Sequence, residues 1–210
     1  MLQFITHKND RYGYVEGAME ALAGGCKWIQ LRMKEATADE LREAVKILKP
    51  ACAEHEAILL IDDHVELVAE LDVDGVHLGK NDMPPAEARR LLGEKYIIGA
   101  TANTIDDIRA LSARDVDYVG LGPYRYTETK RNLSPVLGVE GYRRIMEECH
   151  AEGIELPVVA IGGITPDDLQ SLMEAGVDGI ALSGTILNAQ SPREMTETII
   201  AMLNKIKYGE

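Results

Sequence analysis

The chain has 210 residues, with 22 Lys+Arg against 35 Asp+Glu and a formal net charge of −13. That length suits one domain with a full core, and 46% hydrophobic with 27% charged residues excludes a disordered chain. The acidic balance argues against non-specific binding to nucleic acid or anionic membrane, and no apolar run approaches the roughly 18 residues of a membrane span.

In chain order, apolar runs predict strands at LQFIT (2–6), WIQLRMK (28–34), AILLID (57–62), GVHLG (75–79), YIIGAT (96–101), YVGLGP (118–123), PVVAIG (157–162) and GIALSG (179–184). Each is followed by a helix candidate. Near-continuous apolar strands separated by helices read as a parallel sheet covered on both faces. Thr37-Ala38-Asp39-Glu40 predicts a capping box opening a helix over 37–54, where Leu41, Val45 and Leu48 form one apolar stripe. Ser191-Pro192-Arg193-Glu194 predicts a second capping box with Pro at the first helical position, and Thr165-Pro166-Asp167-Asp168 has the same shape.

A faint repeat links LDVDGVHLG (71–79), RDVDYVGLG (114–122) and AGVDGIALS (175–183), each with an Asp just before a strand. Gly24-Gly25-Cys26 is a looser copy. The spacing is too irregular for a solenoid but suits a repeated αβ unit. Eight such units predict an α/β fold, a TIM (β/α)8 barrel forming a single domain over residues 1–210. The rival is a doubly wound sheet, which usually has five or six strands.

Cys26, Cys52 and Cys149 fit neither a zinc motif nor a disulfide framework. Buried reduced thiols and a cytoplasmic location are expected. The N-terminus shows no export signal.

In a barrel the site lies at the C-terminal strand ends. On a strand over 28–34, Gln30, Arg32 and Lys34 share one face, opposite Ile29, Leu31 and Met33. Two cations and an amide there call for an anionic partner, either a phosphate group or the carboxylates of neighbouring strands. Asp63 and Asp82 follow adjacent strands and suit Mg²⁺. His64 and His77 lie near enough in sequence to raise zinc, though without its usual ligand spacing. Strand-end turns and helix caps are the other reading of either Asp.

The connection from Gly122 towards a helix near Val139 is long for a compact domain, and long loops are usually functional. It holds Thr127, Thr129, Lys130 and Arg131, all donors for an anion. Gly162-Gly163 and Leu182-Ser183-Gly184-Thr185 follow the seventh and eighth strands, the habitual phosphate site of such barrels. No nucleophile elbow, P-loop or HExxH is present. Two anion pockets and a divalent metal favour transfer chemistry on a pyrophosphate ester.

QLRMK, IDD followed by HLGKND, GAT, GPYRYTETK, AIGGIT and ALSG occur in this order. Together they resemble the thiamine phosphate synthase (thiamine-phosphate pyrophosphorylase) family, from about residue 2 to residue 190. The resemblance implies a TIM barrel that condenses hydroxymethylpyrimidine diphosphate with thiazole phosphate and releases pyrophosphate. It implies that Gln30, Leu31, Arg32, Met33, Lys34, Asp62, Thr101 and Lys130 bind the pyrimidine diphosphate. Asp63 and Asp82 would hold Mg²⁺. Thr127, Glu128, Thr129, Gly163, Leu182 and Ser183 would bind the thiazole phosphate. Arg32, Lys34 and Lys130 would act on the departing pyrophosphate, with no general base or covalent intermediate.

Asp62 stands where the family usually has Asn, Lys80 where Gln is common, Thr101 for Ser and Asn103 for His. Tyr124-Arg125-Tyr126 replaces a more apolar stretch. Expected partners are phosphorylated small molecules, without nucleic acid or membrane, and a homo-oligomer is compatible with the pattern. The alternatives are a thiazole tautomerase-like isomerase, which needs no metal pair, and a catalytically silent barrel that binds a phosphorylated ligand.

Overall fold

The computed structural model describes residues 1–113, 116–126 and 135–209. Its strands are β1 (Leu2–Ile5), β2 (Trp28–Leu31), β3 (Ile58–Asp62), β4 (Gly75–Leu78), β5 (Ile97–Ala102), β6 (Tyr118–Leu121), β7 (Val158–Ile161) and β8 (Gly179–Leu182). All pair in parallel with their sequence neighbours, and β8 pairs with β1 through Leu2↔Ile180, Gln3↔Ala181 and Phe4↔Leu182. The sheet is therefore a closed barrel of eight strands, as the count of βα units predicts. The doubly wound alternative is excluded.

Between the strands run α1 (Tyr14–Ala23), α2 (Ala38–Glu54), α3 (Val65–Leu71), α4 (Pro85–Leu92), α5 (Ile105–Ser112), α6 (Gly138–Ala151) and α7 (Leu169–Glu174). After β8 come the short α8 (Gly184–Leu187) and the long α9 (Pro192–Tyr208). Among the described residues, no helix is long and apolar enough to cross a membrane. Thr37 and Glu40 form the predicted capping box of α2, and Leu41, Val45 and Leu48 are buried on its inner face. The box at Ser191 is half made. The Ser191 hydroxyl accepts from the Glu194 amide, but no reciprocal bond from the Glu194 side chain accompanies it.

Alternation along each strand sorts the core into two layers. Ile29, Leu31, Leu59, Ile61, Val76 and Leu78 join the outer layer between sheet and helices. Ile5, Trp28, Leu60, Tyr118, Val159 and Ala181 fill the barrel interior. Gly99 makes room for this packing, since a Cβ there would lie 2.2 Å from the Tyr118 ring. All three cysteines are free and buried.

The Asp repeat has a structural explanation. Asp74 Oδ2 accepts from the Leu59 amide at 2.7 Å, Asp117 Oδ2 from Ile98 at 2.7 Å, and Asp178 Oδ2 from Val158 at 2.8 Å. In each case the Asp leading into an even strand secures the first amides of the odd strand before it. Its own N–H donates back to the carbonyl of the same residue. Three βα units thus lock their register at the N-terminal rim by the same device.

The strands stop short of several predicted ends. The second ends at Leu31, not residue 34, because its ladder with β3 ends at Leu31↔Ile61. Beyond it the Arg32 amide donates to Thr6 Oγ1 at 2.9 Å, so a side chain replaces the ladder. The shared face of Gln30, Arg32 and Lys34 therefore does not extend as regular strand.

Asp74→Ala should lower the unfolding free energy by about 1 kcal/mol, because an amide at the start of β3 loses its acceptor. Asp74→Asn should cost less, since its amide oxygen still accepts. Urea titrations of the three proteins check this, and identical curves would contradict it.

Candidate active site

Asp62, the last residue of β3, is buried at the mouth of the barrel. Gln30 Nε2 donates to its Oδ1 at 2.7 Å, and Arg32 Nε lies 3.5 Å from its Oδ2. The carboxylate partner anticipated for Arg32 is therefore Asp62. Burial, then the charge of Asp63, pushes the Asp62 carboxyl up to about 7 despite Arg32. Gln30 Oε1 is buried and has no hydrogen-bond partner.

Asp63 follows in the left-handed region at φ 66°. This turns its side chain out of the strand and towards Asp82, and the two carboxyl groups come within hydrogen-bonding reach. Burial and this close neighbour push Asp63 up to about 6, while Lys34 and Arg32 oppose the shift. Asp82 is fixed by its own turn, with Oδ2 accepting from the Gly79 amide at 2.6 Å. A Cβ at residue 79 would lie 2.7 Å from the same oxygen, so a larger residue there would displace the Asp82 carboxyl. The convergence of Asp63 and Asp82 is thus present. Facing carboxyls that resist ionisation together suit a hard divalent cation, with remaining coordination positions open to phosphate oxygens. Lys34 is exposed and, with Met33, Asp62 and Asp63, lines a small recess between β2 and β3.

The zinc alternative is not supported. Among the described residues no three of His, Cys, Asp and Glu converge as ligands. His64 Nδ1 lies 3.0 Å from Glu66. His77 is an interior residue of β4, with Nδ1 at 2.9 Å from the Tyr118 hydroxyl and Nε2 at 3.1 Å from Thr101 Oγ1. Gln3 Nε2 donates to the same Tyr118 hydroxyl at 3.2 Å. Gln3 and Tyr118 escaped the sequence reading. Only the period-two pattern marks them as inward, and their partners come from strands far apart in the chain.

On the far side of the mouth, Gly163 follows β7 at φ 69°, and Leu182 and Ser183 close β8. Ser183 Oγ is buried without a partner. Arg125 reaches across from β6. Its Nη1 donates to the Gly163 carbonyl at 2.8 Å, and its two terminal nitrogens grip Asp168 at 2.6 and 2.7 Å. Tyr124 Oη also donates to Asp168, which accepts from the Thr165 amide and hydroxyl. Burial opposes ionisation of Asp168, but the Arg125 guanidinium and the Thr165 donors outweigh it and hold the carboxyl well below the usual range. Tyr124 and Arg125 are therefore part of a clamp between two loops, and the sequence offered Asp168 only as a helix-capping residue, not as their partner. Lys80 pairs with Asp107 at 2.7 Å, and Asn103 Nδ2 donates to the Gly122 carbonyl. Thr127, Glu128, Thr129, Lys130 and Arg131 lie outside the described residues.

Residues 2–186 match the family model described as thiamine monophosphate synthase (TMP-TENI). The chain belongs to this family. It is 59% identical over 206 residues to the thiamine-phosphate synthase of Bacteroides thetaiotaomicron, covering 98% of this chain and 99% of that protein. The structure of a Pyrococcus furiosus thiamine phosphate pyrophosphorylase aligns with TM-score 0.86 at 34% identity, covering 98% of this chain and 96% of the other. A crystal structure of a thiamine phosphate pyrophosphorylase from B. thetaiotaomicron aligns with TM-score 0.72 at 18% identity, covering 97% and 98%, which speaks to the fold alone. Within the thiamine monophosphate synthase family, then, this chain carries the carboxyl pair together with Asp62.

Asp62 gives a pH dependence with a definite sign. Its folded pKa, about 7, lies above the ordinary 3.8. Its favourable contribution to folding is full below about pH 4 and is lost as the pH rises to about 7. Asp62→Asn should therefore flatten the decline of the thermal midpoint between pH 5 and pH 8 in the ligand-free protein. Parallel midpoint-against-pH curves for the two proteins would contradict the assignment.

Proposed function

We propose that the chain condenses 4-amino-2-methyl-5-hydroxymethylpyrimidine diphosphate with thiazole phosphate to give thiamine phosphate and pyrophosphate. The observation that carries this reading is the facing pair Asp63 and Asp82 at adjacent strand ends, beside Arg32 and the buried Gln30. Family membership supports it independently. The pair also weighs against the tautomerase alternative, which needs no metal, and against a silent ligand-binding barrel, which would not need both carboxyls.

In this reading Asp63 and Asp82 hold Mg²⁺, which when bound would offset charge on the diphosphate. Gln30 Oε1, buried without a partner, supplies an acceptor for an amino group on the pyrimidine. Arg32, Lys34 and Lys130 face the diphosphate and stabilise the charge that grows as the methylene C–O bond breaks. Leu31 and Met33 flank these groups, and Thr101 donates to a diphosphate oxygen. The aminopyrimidine ring spreads the positive charge left on the methylene, and the thiazole nitrogen closes the new C–N bond. The thiazole phosphate is held by Thr127, Glu128, Thr129, Gly163, Leu182 and Ser183. No side chain has to take a proton from the nucleophile, so positioning and electrostatics supply the rate. The reaction is placed in the cytosol, on phosphorylated small molecules.

Incubation with both substrates, with and without Mg²⁺, should give thiamine phosphate only when the metal is present. Rearranged thiazole phosphate with no condensation, or no reaction at all, would overturn the proposal. Asp63→Ala and Asp82→Ala should each leave the fold intact by circular dichroism and cut turnover by about two orders of magnitude or more. Near-normal Mg²⁺-dependent turnover in both would remove the metal assignment.

A further inference from the structure

The barrel interior holds a line of polar groups from β1 to β5: Gln3 Nε2, the Tyr118 hydroxyl, the two ring nitrogens of His77, and Thr101 Oγ1. Gln3, His77 and Tyr118 are buried, and Thr101 lies at the mouth, on the last turn of strand before the loop. Hydrogen bonds in such a line have a direction, because each buried donor needs an acceptor.

The direction follows from Gln3. Its Nε2 can only donate, so Tyr118 Oη accepts at one lone pair. The Tyr118 proton then needs an acceptor, and His77 Nδ1 stands at 2.9 Å. If His77 Nδ1 instead carried hydrogen, Tyr118 would accept twice and its own buried proton would lose that acceptor. With Nδ1 accepting, neutral His77 carries its hydrogen on Nε2 and donates it to Thr101 Oγ1. That leaves the Thr101 proton to point into the mouth. In the opposite tautomer Thr101 would spend its proton on His77 and turn only lone pairs towards an anion.

We propose that Gln3 and Tyr118 act as positioning residues that fix His77 as its Nε2–H tautomer, so that the Thr101 hydroxyl is held as a hydrogen-bond donor to the diphosphate. Neither Gln3 nor Tyr118 touches the substrate. Their effect reaches it through His77 and Thr101, across the width of the barrel. The inference rests on the reading of Thr101 as a diphosphate ligand, but its first half, the tautomer, stands on the interior geometry alone.

Two measurements test it. Long-range ¹H–¹⁵N correlation spectra of the wild-type protein at pH 8 identify which ring nitrogen of each of the five histidines carries hydrogen, with His77 assigned from a His77→Gln variant. Nε2–H at His77 is expected, and Nδ1–H would overturn the relay. Calorimetric binding of hydroxymethylpyrimidine diphosphate in the presence of Mg²⁺ is then compared across variants. Thr101→Val should weaken binding about ten-fold, as loss of a hydrogen bond to a charged group does. Tyr118→Phe should weaken it several-fold by releasing the tautomer. The double variant should bind no worse than Thr101→Val alone, because both changes act through one hydroxyl. Additive losses would mean that Tyr118 serves packing only and would overturn the proposal. If wild-type protein fails to bind the pyrimidine diphosphate, the proposed function falls, while the spectrum still decides the tautomer.

Discussion

The interior of a closed eight-stranded barrel is packed with side chains, so every polar group placed there must find its partner on another strand. That requirement organises this molecule. The inward positions nearest the N-terminal rim include apolar groups such as Trp28, Ile58 and Ile97, and here Gln3 and Tyr118 meet each other. Two polar lines lead to the C-terminal rim: one from Gln3 through Tyr118 and His77 to Thr101, the other joining Gln30, Asp62 and Arg32. Each line ends at the mouth, and each therefore converts a requirement of burial into a fixed group facing the site. Rigid strands carrying both lines hold that geometry better than loops would.

The charge of the mouth runs against the simple expectation from an acidic chain. Three carboxyl groups gather at the ends of β3 and β4, and burial together with their mutual repulsion keeps Asp62 and Asp63 from ionising easily. Arg32 and Lys34 answer only part of that field. A divalent cation binding there would meet carboxyls that gain most from its arrival, since a charge that costs much to form alone gains most from a counter-ion. Asp62 differs in kind from its neighbours. With Gln30 on one oxygen and Arg32 beside the other, it is tied into the protein. An amide at this position, as in Asp62→Asn, would keep an oxygen for Gln30 but bring no negative charge to Arg32.

Much of the architecture is legible in the sequence because it depends on local pattern. All eight strands appear in the predicted order, and the predicted helix near Val139 begins at Gly138. The Asp repeat is visible as a motif, though its meaning emerges only when Asp74, Asp117 and Asp178 are seen capping the strand before. Asp63 and Asp82 are legible because adjacent strand ends in a parallel barrel are adjacent in space. What the sequence hides is pairing between distant strands. Tyr118 meets Gln3 across 115 residues, and Arg125 meets Asp168 across 43. No periodicity announces such pairs. The strand-face argument grouped Gln30 with Arg32, and both do reach Asp62, but the strand itself ends at Leu31: where the ladder stops, the Arg32 amide turns to Thr6 instead.

The rim beyond β6, β7 and β8 is held by a different principle. Side chains of one segment bind carbonyls of a neighbouring one: Asn103 and Arg125 reach forward to Gly122 and Gly163, and Thr185 reaches back to Ile164. Each bond adds a side-chain brace at the rim, and between the segments after β6 and β7 it supplements the backbone bonds from Tyr124 to Ile161 and from Arg125 to Gly162. Each also engages a carbonyl oxygen whose lone pairs would otherwise repel an anion at the rim. The Arg125 guanidinium does both at once while gripping Asp168, and its charge is largely answered there by that carboxylate. It therefore shapes the rim more than it attracts phosphate. The β2 end, across the mouth, sets Arg32 and Lys34 beside Asp62 and Asp63 instead. This division separates a part of the rim that fixes backbone shape from a part that carries charge, and Arg125, bound at both terminal nitrogens to Asp168, belongs to the first.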